Sequence, residues 1–339
     1  MAKLRLSPWL PPSLFLIIAI LGAFVHIRLW GTNPSDNRPD IYYSYVEGRR
    51  LVEGENPYAR ILTGDMRTND KYATYFPLFY LFSSGAQLAG LEKYPEWIAF
   101  WRVVFLLCNL AIAFLVFQIC ASQDQPWLGI FGAAFWLFNR WTLHVTVIDH
   151  LDFLPLLLFL LSLKLVPRRF YLACLLFSLS LAIKQIAILA LPLYLIWAWQ
   201  MDRADRPKRL LWSFALIVSI PLVVSIPFLV WNAEGYLKSL FFSVSRLPDD
   251  QFDAPSLDAL FGVVGLAAKI PMLFFLALTC ALAFFRRLPK YASILLVFVI
   301  IFGFSSVLYR QYLAWLIPFI PLTILELVTF GVQARIDPD

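Results

Sequence analysis

Apolar residues along this chain come in long blocks, without the three-or-four spacing of a water-facing helix or the alternation of a strand. Uncharged runs close to the roughly 20 residues needed to cross about 30 Å of hydrocarbon recur from one end to the other. The pattern predicts an all-α, polytopic helical membrane protein, one domain over residues 1–339, with no room for a soluble domain. Ten spans are expected, at 9–30, 98–120, 127–147, 151–166, 170–183, 185–200, 210–231, 271–285, 291–309 and 312–330. The first is an uncleaved span, because no small-residue cleavage site follows it.

Charge sets the orientation. Lys3 and Arg5 place the N-terminus in the cytoplasm, so the polar stretch after the first span lies outside. Three short basic breaks, VPRR (Val166 to Arg169), MDRADRPKR (Met201 to Arg209) and RRLPK (Arg286 to Lys290), read as cytoplasmic loops. An odd number of crossings must then separate the outer stretch from Met201, whereas six apolar runs lie between them. The run at 75–91 is the one expected not to cross. It carries Pro77, Ser83, Ser84, Gly85, Gln87 and Gly90, a makeup suited to an interfacial or re-entrant helix. The first outer loop then covers 31–97, with juxtamembrane helices. The competing choice fuses two of the runs in 151–200, but 170–200 as one helix would measure about 46 Å at about 1.5 Å per residue. Two short helices turning at Lys184 are expected instead. A second large outer loop is expected over 232–270, containing Arg246, Asp249, Asp250 and Asp253.

Composition agrees: 60% of residues are hydrophobic, 15% are charged and the mean hydropathy is +0.72, so the bilayer is the main solvent and membrane lipids are obligatory partners. The net charge of +6 sits at span ends, where it meets anionic headgroups; nucleic acid is not an expected partner. Cys108, Cys120, Cys174 and Cys280 all lie in apolar runs and act as small hydrophobes, which argues against a disulfide framework. With only His26, His144 and His150, a zinc cluster or a nucleophile–His–acid triad has few possible members.

Against this background, polar residues that interrupt apolar runs are informative. The topology brings His150, Asp152, Lys184, Arg310 and Gln311 to the outer side, along with the outer loops. Ionisable groups at membrane depth cost several kcal/mol unless paired or watered, so the cluster suggests a wet cavity. The alternative is interfacial snorkelling, the better account of Lys164 near a cytoplasmic end. The stretch RPDIYYSYVEGRRLVEGENPY, Arg38 to Tyr58, predicts a surface helix. Asp40 can cap it, Ile41, Tyr42, Tyr45, Val46 and Val52 give an apolar side, and Gly54 with Asn56-Pro57 ends it. From these residues alone Asp40 is either an N-cap or a functional acid.

An acid just past the first span, a juxtamembrane helix, the turn Gly54-Glu55-Asn56-Pro57-Tyr58 and then Tyr75-Phe76-Pro77-Leu78 resemble the GT-C glycosyltransferases. The likeness is greatest to the polyprenol-phosphate-mannose-dependent branch, glycosyltransferase family 87, and Asp40 and Tyr43 fit its pattern. DHLDFLPLLLFLLSL at 149–163, LAIKQIAILALPLYL at 181–195 and YRQYLAWLIPFIPL at 309–322 are similar to the superfamily too. The resemblance implies an inverting enzyme in the cell membrane. It would move a sugar, mannose by family default, from a polyprenyl phosphate to an acceptor glycan or glycolipid at the outer face. Such chemistry needs a base for the acceptor hydroxyl, here Asp40, and cations for the leaving phosphate, here Lys184, Arg310 and His150. Tyr43, Tyr58 and Tyr75 would stack on or hydrogen-bond sugar, unless they form only an aromatic belt, and Asp152, Gln185, Gln311 and Tyr312 complete the expected substrate-binding set. No cofactor is implied. A divalent metal is not expected either, since position 42 is Tyr and leaves Asp40 without a second acid two residues on, although Asp36 or Asp152 would complete a site if folded close. Two other classes remain open. A lipid-linked-glycan transporter predicts inverted repeats and charges at mid-depth, and a non-catalytic subunit predicts that losing Asp40 is harmless.

Overall fold

The computed structural model describes residues 7, 9–32, 40–63, 73–201, 204–245, 257–261, 267, 269–304 and 308–336. Lys3, Arg5, Asp36, Arg246, Asp249, Asp250 and Asp253 lie outside the described residues. Among the described residues the regular elements are all helical, and the protein is an all-α polytopic membrane protein. Four stretches are long and apolar enough to cross a bilayer unaided: Leu10–Leu29, Tyr94–Ala121, Arg206–Phe242 and Arg310–Thr329.

In chain order the helices are α1 (Leu10–Leu29), α2 (Asp40–Val52), α3 (Leu78–Leu88), α4 (Tyr94–Ala121), α5 (Pro126–Phe138), α6 (Arg140–Val147), α7 (Phe153–Leu165), α8 (Phe170–Ile183), α9 (Leu191–Gln200), α10 (Arg206–Ser245), α11 (Leu257–Leu260), α12 (Lys269–Phe284), α13 (Lys290–Gly303) and α14 (Phe319–Ile336). The 11 residues of α3 extend only about 16 Å. The run 170–200 breaks at Lys184 into α8, a 3-10 segment Gln185–Ala190 and α9. Proline explains the restart, since Pro192 occupies the first turn of α9, where its missing N–H costs nothing.

Besides 185–200, three further expected spans are not continuous α-helix. The run 127–147 breaks at Asn139, whose backbone is extended and whose side chain accepts from Trp141 N at 2.9 Å, capping α6. The run 291–309 ends as α13 at Gly303, and the run 312–330 begins as a 3-10 segment, Arg310–Trp315, before α14. The outer loop expected over 232–270 opens on helical structure. α10 kinks there, with non-helical φ and ψ at Asn232, and continues to Ser245 because Asn232 Oδ1 accepts from Gly235 N at 2.9 Å and caps the second half. The snorkelling candidate Lys164 is bonded to Gln118 Oε1 on α4.

α4 and α5, α7 and α8, and α8 and α10 pack side by side, while α2 lies on α3. The core between them is aromatic: Phe159 meets Phe298 at 5.7 Å, and Phe298 meets Trp315 at 5.6 Å between ring centroids. At the far end Glu326 Oε2 accepts from Tyr291 N (2.7 Å) and Ala292 N (3.2 Å), so α14 caps the start of α13.

Candidate active site

Non-helical backbone at membrane depth is tolerated where it is buried in protein or lines a cavity, because its N–H and C=O groups need partners. Three interruptions of the α-helical backbone meet here: the turn from Ile148 to Asp152 between α6 and α7, the break at Lys184, and the 3-10 segment Arg310–Trp315. At their meeting point is Asp152, fully buried. Its Oδ1 accepts from Lys184 Nζ at 2.6 Å and from Trp315 Nε1 at 2.6 Å, and its Oδ2 lies 2.6 Å from His150 Nδ1. The Lys184 ammonium also faces two rings, Tyr75 at 5.5 Å and Tyr312 at 5.3 Å. A buried cation, a carboxylate, an imidazole and two aromatic faces thus share one compact cluster, in which His150 Nδ1 and Asp152 Oδ2 approach each other without an aligned hydrogen bond. The turn that presents it is strained at Asp149, which adopts φ +50°, and is held by Arg102, whose guanidinium grips both Asp149 oxygens at 2.9 and 2.6 Å.

On the open side of this cluster stands Asp40, the first residue of α2. Its side chain is 38% exposed, against 1% for Asp152, and its Oδ2 lies 3.8 Å from His150 Nε2. The position of α2 fixes Asp40. Of the apolar side expected for this helix, Ile41 is buried and Tyr45 packs on Trp97. Ile41, Ser44, Glu47 and Gly48 are buried against α3, while Val52 is exposed. Gly48 permits the approach, since a Cβ there would come within 2.2 Å of Ser83 Oγ, and Ser83 Oγ in turn donates to Ser44 O at 2.9 Å. Glu47, beneath this contact, pairs with Arg60 at 2.7 Å and Arg50 at 3.8 Å; burial nevertheless outweighs both arginines and pushes its carboxyl up to about 7.

The remaining expected site residues separate. Gln185 Nε2 donates to Thr74 O at 2.8 Å, tying the break after α8 to the strand of loop that carries Tyr75. Gln311 is buried, and Tyr312 stacks on Phe302 at 5.6 Å; both sit with Arg310 on the same 3-10 segment beside the cluster. Tyr43 lies on α2, three residues beyond Asp40, edge-on to Tyr42. Tyr58 departs from expectation. It is fully buried, its hydroxyl is donated to Tyr75 O at 2.7 Å, and its ring is enclosed by Phe228 and Tyr236 of α10, so it holds the loop and does not face a sugar. Burial pushes its hydroxyl well above the ordinary tyrosine range. Lys184, expected on a phosphate, is committed to Asp152. Tyr75 faces Lys184 as one wall of its aromatic surroundings.

Trp315, Arg102 and Asp149 escaped the sequence reading. Twelve tryptophans in an apolar chain give no hint of which indole is donated to a carboxylate. Asp149, next to His150, was visible as a second acid in DHLD but had no identifiable partner. Behind His150 opens a water-sized pocket lined in part by His26, Trp30, Arg102, Asn109 and Asp149. Its floor is His26, bonded to Thr146 Oγ1 at 2.6 Å and Leu137 O at 2.9 Å. Among the described residues no group of three or more His, Cys, Asp or Glu is placed to hold a metal ion.

Residues 90–247, a little under half of the chain, match the family model described as ALG3 protein, whose members are glycosyltransferases. The chain is a glycosyltransferase. The matched stretch of the transferase runs from α4 into α10 and includes Arg102, Asp149, His150, Asp152 and Lys184. Asp40 and the Arg310–Trp315 segment lie outside it. No curated protein matches the transferase.

Proposed function

We propose that this glycosyltransferase moves a mannosyl group, with inversion, from a polyprenyl phosphate of the dolichyl type to a hydroxyl of a lipid-linked glycan on the non-cytoplasmic face of its membrane. The match to the ALG3 protein family supports the donor and the sugar, and the motif order supports kinship with glycosyltransferase family 87. The observation that carries the mechanism is a partly exposed carboxylate, Asp40, standing beside a buried His150–Asp152–Lys184 cluster. A sugar hydroxyl attacks the anomeric carbon while Asp40 takes its proton, and the prenyl phosphate leaves with the bonding electron pair. Arg310, on the 3-10 segment beside the cluster, is the cation assigned to the departing phosphate. Tyr43 and Gln311 complete the polar rim. The step uses the chain's own side chains.

The test is transfer from radiolabelled dolichyl-phosphate mannose to a membrane glycolipid fraction by the purified parent and Asp40→Asn. Loss of a general base lowers the rate about 10²- to 10⁴-fold, and a loss in that range is expected. Equal transfer by both proteins would remove Asp40 from the reaction.

A further inference from the structure

The geometry points to a saccharide-binding recess on the α1–α4 side of Asp40, in which a neutral hexosyl unit of the acceptor glycan lies against the Arg102–Asp149 pair and beside the rings of Trp30 and Tyr94. The inference rests on the reading of Asp40 as the base, and it gives the acceptor a place that this reading leaves open. The recess is the mouth of the pocket behind His150, and Trp30, Arg102, Asp149 and His150 all line it. Asp40 Oδ2 stands at its edge, 3.8 Å from His150 Nε2. The base of the recess is water-sized, and with the space open to solvent it reaches about 260 Å³. That falls just under the roughly 300 Å³ at which ordinary ligand sites begin, so it suits one small polar ring and excludes a prenyl chain.

A pyranose offers C–H groups that pack on aromatic rings and hydroxyls that need fixed donors and acceptors. Both are present. Tyr94, at the start of α4, stands within electrostatic reach of Arg102 and Asp149, and its ring meets Tyr42 of α2 edge-on at 5.0 Å. Trp30 and Tyr94 are each half-buried, so each leaves part of a ring uncovered. Arg102 spends Nε and Nη2 on Asp149, at 2.9 and 2.6 Å, and among the described residues Nη1 donates to nothing. Each Asp149 oxygen keeps a second lone pair. A vicinal diol fits this fork: one hydroxyl accepts from Nη1 while its neighbour donates to a carboxylate oxygen. Charge then separates the two substrates. The Arg102 guanidinium is already balanced by Asp149, and Asp40 is close by, so a phosphate entering here meets two carboxylates. Neutral hydroxyls meet no such repulsion. The anionic donor is left to the Arg310 side, and the acceptor reaches Asp40 from α1 and α4.

Trp30→Leu and Tyr94→Leu keep an apolar filling and remove the ring face, and Trp30→Tyr restores one. Purified parent and variants are assayed in detergent, first with the membrane glycolipid fraction titrated at saturating radiolabelled dolichyl-phosphate mannose, then with the donor titrated at fixed glycolipid. The expected result is an apparent KM for glycolipid raised about 3- to 10-fold in both Leu variants, with donor KM and thermal midpoint close to the parent's, and a Trp30→Tyr value within about twofold of the parent. Rings that form only an interfacial belt leave the glycolipid KM unchanged. That result overturns the recess, as does an equal rise in the donor KM. If the parent transfers nothing from this donor, the proposed function fails and the recess with it; if the parent transfers, Asp40→Asn is slow and both Leu variants keep the parent's glycolipid KM, the recess fails alone.

Discussion

Lys184 and Asp152 are both close to fully buried, and in that position neither charge survives without the other. Desolvation of each costs several kcal/mol, and the 2.6 Å contact, the indole of Trp315 and the two tyrosine rings together offset it. Lys184→Met leaves Asp152 with an uncompensated charge. It should destabilise the protein by about 3–5 kcal/mol, read as a lowered thermal midpoint in detergent. Lys184→Met combined with Asp152→Leu should recover part of that loss, because the orphaned charge is gone; a double variant that is the sum of its parts would contradict the pairing. This is also the scale at which the sequence was most legible. His150, Asp152 and Lys184 stand out as polar residues in apolar runs, where their presence demands a reason. Trp315 and Tyr58 did not stand out, since an aromatic residue in such a chain looks the same whether it packs, donates a hydrogen bond or faces a ligand. Only the partners, Asp152 Oδ1 in one case and Tyr75 O in the other, distinguish these uses.

At the scale of elements, the site depends on where helices stop. Lys184 ends α8, Asp152 precedes α7, and Asp40 begins α2, so each acid or cation is delivered by an end and not by a face. The break at Lys184 was legible from length, because a helix over 170–200 is too long for the bilayer. The break at Asn139 and the continuation of α10 past Asn232 were not, as both hinge on one asparagine side chain capping a new helix start within or after an apolar run. The docking of α2 was equally hidden. It turns on a glycine whose role appears only when Ser83 is seen against it. Gly48→Ala should push α2 off α3 at a cost of about 1–3 kcal/mol and shift Asp40 relative to His150. The expected result is a lower thermal midpoint together with reduced transfer, whereas Gly85→Ala, with nothing within 4 Å of its Cβ, should leave both nearly unchanged.

The whole molecule joins a membrane bundle to a small docked layer, α2 and α3. Glu47 lies under that layer. Its carboxyl is raised in the folded protein to about 7 from an ordinary 4.5, so the folded state holds the proton more firmly than the unfolded chain does. The stability that Glu47 contributes is therefore greatest below about pH 4.5 and falls as pH rises toward 7, then levels off. Comparing thermal midpoints of the parent and Glu47→Gln at pH 5 and 7.5 should show a smaller decline for the variant; identical slopes would mean that Glu47 does not titrate in this window. The fold class was legible at this scale because bilayer thickness imposes run length directly. Which broken ends meet was not, because the contacting residues are far apart along the chain. That distance has a temporal side. Trp315, whose indole seals Asp152, is synthesised roughly 130 residues after Lys184, a delay on the order of ten seconds at about 5–20 residues per second. During translation the buried pair must wait in the bilayer without its cover. A chain truncated before Trp315 would have the charges in place and the seal missing.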